Sequence, residues 1–108
     1  MSEESQIEIP PSFLALYLAP GRQNPSLPRA ELAARYELCE DMAHMLTETA
    51  RQMAFSLGIT DDDVLTRCLQ GLRADPAVVN RAESTWVITR LAELLNWPAP
   101  RIDEGDAA

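Results

Sequence analysis

His44 is the only histidine in the chain, and Glu40 and Glu48 stand four residues to either side of it. On a helix, positions four apart share a face. An imidazole with two carboxylates is a ligand set for zinc or iron. A di-iron bundle, however, needs Glu-x-x-His pairs on two helices plus further inward glutamates, and there is no second His to build one. Glu37 and Asp41 lie close by, and these residues fall outside the apolar seam of the same segment. They read as a solvated charged face.

Other chemistries fail on spacing. Cys39 precedes His44 by five residues, which points the two about 140° apart on a helix and precludes a thiol–imidazole dyad. Cys39 and Cys68 form no Cys-x-x-Cys pair, so both read as reduced packing residues. No Gly-x-Ser-x-Gly elbow occurs. Asp61-Asp62-Asp63 suggests calcium, but an EF-hand loop starting at Asp61 would need Gly and Glu where Thr66 and Leu72 stand. A phosphate-binding loop needs a Lys and clustered glycines. The chain has no Lys, and its four glycines, at 21, 58, 71 and 105, are scattered. The expectation is no catalytic residue, no cofactor and no metal.

What positions these residues is helical periodicity. Leu32, Tyr36, Cys39, Ala43, Leu46, Ala50, Met53 and Leu57 recur in alternating steps of four and three, a heptad seam. Ser26 is read as N-cap, Pro28 as a first-turn residue and Gly58 as the C-terminal stop, which predicts one long helix over about 28–57. Thr60 followed by three aspartates, with Ile59 and Val64 as a staple, starts a second helix over about 61–73. Asn80 with Glu83 three residues on starts a third over about 80–96, with a stripe of Val87, Ile88, Leu91, Leu94 and Leu95, stopped by Pro98 and Pro100. Ser12 is read as the cap of a short helix over about 11–18. Strand signals are almost absent. The fold class is therefore all-α, a small helical bundle with one long central helix. Short loops at 58–60 and 74–80 imply roughly antiparallel neighbours. One helical domain is expected over 7–98, with disordered acidic tails at 1–6 and 99–108.

The whole chain has 108 residues, seventeen acids against nine arginines, and a formal charge of −8. That length holds one core. The charge disfavours nucleic acid and anionic membranes. An acidic start without a basic n-region points to the cytoplasm.

What remains is apolar surface. Phe13, Leu16 and Tyr17 near the N-terminus, Leu38, Met42 and Met45 beside the seam, and Trp86 and Trp97 on one flank of the third helix exceed what a small monomer needs. Either these three patches bury one another, or they dimerise or bind a protein partner.

Ile7-Glu8-Ile9-Pro10-Pro11-Ser12-Phe13, Pro20-Gly21-Arg22, Ala33 to Ala43, and Trp86 with Thr89 to Trp97 resemble a family of small proteobacterial proteins catalogued as "ATPase with chaperone activity". The resemblance covers roughly residues 7–97. It implies a chaperone-related, nucleotide-using component and supplies no catalytic residues. The missing phosphate-binding loop stands against the ATPase half of that description.

Overall fold

The computed structural model describes residues 8–19, 21, 24–100 and 102. Four helices follow in order: α1 (Pro11–Leu14), α2 (Arg29–Leu57), α3 (Asp61–Arg73) and α4 (Arg81–Leu95), and a single 3₁₀ turn (Ala15–Tyr17) extends α1. Among the described residues there is no strand, and the fold is the expected all-α bundle with a long central helix. At 1.5 Å per residue a helix of this length runs about 44 Å. It therefore spans the longest dimension of a molecule measuring 45 × 37 × 25 Å. No described helix is long and apolar enough to cross a membrane.

Local chemistry sets most boundaries. Gly58 closes α2 at φ +63°, a left-handed conformation that costs glycine little, and its N–H donates to the Ala54 carbonyl. The Thr60 hydroxyl accepts from the Asp63 N–H at 3.1 Å, and three aspartates meet the positive end of α3. Asn80 and Glu83 form a full capping box at the start of α4.

Three details differ from expectation. Ser26 does not cap α2: Pro28 holds that position without a side-chain bond, and the Ser26 N–H instead donates to the Tyr17 carbonyl at 2.8 Å. Ser12 does not cap α1, because Pro10 does, and the Ser12 hydroxyl accepts from the Trp86 indole N–H. The end of α4 is set by Asn96, left-handed at φ +62°, before either proline is reached.

The seam of α2 faces inward, with Leu32, Cys39, Ala43 and Ala50 buried, while Leu57 at its end is exposed. α4 packs chiefly on α2 and then on α3, and its stripe supplies Val87, Ile88, Leu91 and Leu95 to the interior. Two clusters result. One gathers Ile9, Phe13, Leu32, Val79, Trp86 and Val87. The other gathers Ala50, Val64, Leu65, Cys68, Ile88, Leu91 and Leu95. Leu46 and Leu72 pack against both. Residues 1–6 lie outside the described residues, as do most of 99–108. Ile102, expected in the acidic tail, packs against the second cluster.

Candidate interaction surface

The N-terminal segment lies on its own bundle. Phe13 is fully buried, its ring 5.2 Å from Trp86 and 5.7 Å from Tyr36, both edge-on. Edge-to-face rings place positive edges against negative faces and add to the energy of burial. Trp86 adds a polar tie, donating from Nε1 to Ser12 Oγ at 2.9 Å.

Beside the rings sits a charge. Glu83 is completely buried and accepts from Arg35 Nε at 2.8 Å and Arg35 Nη2 at 2.5 Å. It also accepts from the Tyr17 hydroxyl and, at 2.9 Å, from the Asn80 N–H. Arg35 Nη2 donates further to the Val78 carbonyl at 2.8 Å. Burial alone pushes the Glu83 carboxyl up, but the Arg35 guanidinium, the Tyr17 hydroxyl and the Asn80 N–H outweigh it and hold the carboxyl below its ordinary value. Burial, then the hydrogen bond to Glu83, pushes the Tyr17 hydroxyl up. Glu83 thus ties three elements together: α1's extension through Tyr17, α2 through Arg35 and α4 through its own cap. Its oxygens are engaged by internal donors, which leaves it structural rather than a base exposed to a substrate.

The charged face around His44 is also partly structural. Arg90 on α4 forks onto Glu40, with Nε 2.9 Å from Oε1 and Nη2 2.9 Å from Oε2, and reaches Glu93 at 3.0 Å. Arg90, then His44 at 3.0 Å, holds the Glu40 carboxyl below its ordinary value against the opposing pull of burial. Glu40 is therefore spent on an interhelical pair rather than solvated as expected, while His44 and Glu48 stay exposed. Among the described residues no three His, Cys, Asp or Glu side chains are grouped to hold a metal. Cys39 and Cys68 are free thiols within the core, and burial pushes Cys39 up to about 12, far from a reactive thiolate.

The expected surface divides. Phe13 and Trp86 belong to the interior, and Tyr17 and Leu16 are half-buried against it. Trp97 does not join Trp86: the left-handed Asn96 turns the chain away, and Trp97 packs on the second cluster. Leu38 and Met42 are half-buried at the edge of the first cluster, and Met45 is 71% exposed. Phe55, absent from the expected surface, is 91% exposed, and Leu57 and Val78 are also uncovered. A lone aromatic two positions off the seam was the signal for it. An open cleft of about 260 Å³ runs between the N-terminal segment and α4, lined by Ser12, Leu16, Ala82, Trp86, Thr89 and Arg90 among others.

Compared with known proteins, the chain matches no family model, no curated protein and no solved structure. Its class is that of a small all-α bundle with a buried ionic clamp and an outward helix face carrying large apolar side chains.

Proposed function

We propose that the chain is a non-catalytic helical interaction module, acting on a protein partner or on a second copy of itself. One observation carries this reading: Phe55 and Met45 remain 91% and 71% exposed on the long helix while Cys39, Ala43 and Ala50 of the same helix are fully buried. Large apolar side chains left uncovered on a folded helix anchor contacts with other chains. Two ion pairs, Glu83 with Arg35 and Glu40 with Arg90, join α2 to α4 within the chain.

The test is capture from lysate with the wild-type chain and with a Met45→Ser/Phe55→Ser variant, beside a sedimentation measurement of mass. The expected outcome is a partner, or a dimer, that the variant loses while its melting curve stays unchanged. A strict monomer that enriches nothing removes the reading. A binding heat with ATP in calorimetry would move it toward the nucleotide-using chaperone component that the family resemblance implies.

A further inference from the structure

We propose that the outward face of α2, from Leu38 to Phe55, docks a cationic amphipathic helix of a partner protein. The proposal rests on the interaction-module reading and names the kind of partner. Seven residues make nearly two helical turns, so positions seven apart fall almost in line. One line on α2 is Leu38, Met45 and Gln52; the adjacent line, roughly 40–60° around the helix, is Asp41, Glu48 and Phe55. Met45, Gln52, Asp41, Glu48 and Phe55 are all exposed, with Leu38 and Met42 half-buried along the inner margin. Leu38 and Met45 thus form a short apolar strip that ends on the polar Gln52, beside an acidic strip of Asp41 and Glu48 that ends on the Phe55 ring.

Its charge selects the occupant. Between Glu37 and Phe55 the exposed charged residues are Glu37, Asp41, Glu48 and Arg51, three acids against one arginine. Arg35 and Arg90 are turned to Glu83 and Glu40, which draws positive charge away from this face. A helix presenting leucine-like side chains on one side and Lys or Arg along its flanks meets both strips at once. A second copy fits poorly, since an isologous pairing sets the same acidic edge on both sides of the interface, in a chain of net charge −8. Methionine suits the role, because its flexible thioether adapts to varied apolar partners.

The experiment titrates the full chain into a fluorescein-labelled synthetic helix of about 18 residues, five turns, with Leu on one face and Lys on the other, and reads anisotropy. An otherwise identical helix with Glu for Lys is the counterpart. The wild-type chain is expected to bind the cationic helix and not the acidic one. Salt raised to about 1 M, where the Debye length is about 3 Å, should weaken binding. Glu37→Gln/Asp41→Asn/Glu48→Gln should weaken it by about tenfold or more, and Met45→Ser/Phe55→Ser comparably. A variant losing the same three charges elsewhere, Asp62→Asn/Asp75→Asn/Glu93→Gln, should bind as wild type does. Equal weakening by both charge variants means attraction to net charge alone and overturns the proposal. So does equal binding of the acidic helix, or no binding of the cationic one. A dimer in sedimentation that Phe55→Ser dissolves assigns the face to a second copy and overturns it too. In each of these cases the broader reading still stands or falls by the capture and mass measurements.

Discussion

At one end of the molecule three rings, Phe13, Tyr36 and Trp86, meet edge-on beside a buried glutamate held by an arginine. At the other, Ile88, Leu91 and Leu95 close on Val64, Leu65 and Ala50, and the cluster's buried residues include no charged side chain. The aliphatic end is held by area removed from water, which is tolerant of exact shape. The aromatic end adds directional bonds that accept one arrangement: Tyr17 and Asn80 onto Glu83, Arg35 onto Glu83 and Val78, Trp86 onto Ser12. The difference follows from what each end must hold. α3 enters the aliphatic end through a tight turn at Gly58 and is held there mainly by burial, with Arg73 at its far end donating to Ser84 and Thr85 of α4. The N-terminal segment is one turn of α-helix and one 3₁₀ turn, joined to α2 by an eleven-residue connection from Leu18 to Pro28, and cannot persist alone. It needs a ring in a pocket and polar ties that fix its register.

The largest break in this contrast is Phe13→Ala. Emptying the fully buried site should cost about 3–5 kcal/mol, a large share of the roughly 5–15 kcal/mol that stabilises a domain of this size. Chemical denaturation reads the loss, and near-UV dichroism of Trp86 should collapse with it. Next is Arg35→Met, which strands Glu83 in the interior. The expected cost is about 3 kcal/mol, the lower end for a broken buried pair, because the Arg35 side chain is 33% exposed and water can replace part of it. Adding Glu83→Gln to that variant should recover part of the loss, since Gln retains the capping role and carries no charge. Full additivity of the two substitutions would show that the pair is not coupled.

Acid probes the same pair without mutation. The folded Glu83 and Glu40 carboxyls sit below their ordinary value, so they stabilise the fold above about pH 4.3. That stability is lost as pH falls through their folded values. Denaturation midpoints should therefore drop below pH 4, and Glu83→Gln should flatten the drop. A smaller effect is expected from Tyr17→Phe, which removes one hydrogen bond to a charged acceptor and should cost about 1.5 kcal/mol. It should loosen only the N-terminal segment, seen as faster amide exchange at Phe13 and Leu14 than in α3. Smallest of all is Glu48→Gln on the exposed face, which should leave the melting midpoint within experimental scatter.

The elements most legible in the sequence are those whose signals are local. Thr60 and the three aspartates fix the start of α3, Gly58 fixes the end of α2, and the four–three steps fix which side of α2 faces in. Each depends on residues within one or two turns of one another. Glu83 shows where that legibility ends. As the third residue after Asn80 it is recognisable as a capping residue, yet its partner Arg35 lies 48 positions away. The same holds for Trp86 and Trp97, which periodicity places on one flank and a single left-handed residue, Asn96, separates.

Seam, caps and stops, all short-range patterns, determined the helices, the limits set at Gly58, Thr60 and Asn80 and, among the described residues, the absence of strand without help from the fold. Only the tertiary structure decided which charges go inside, which aromatic rings become core, and that Phe55 stays in water. Those outcomes depend on desolvation balanced between groups far apart in the chain, and that balance exists only once the helices have met.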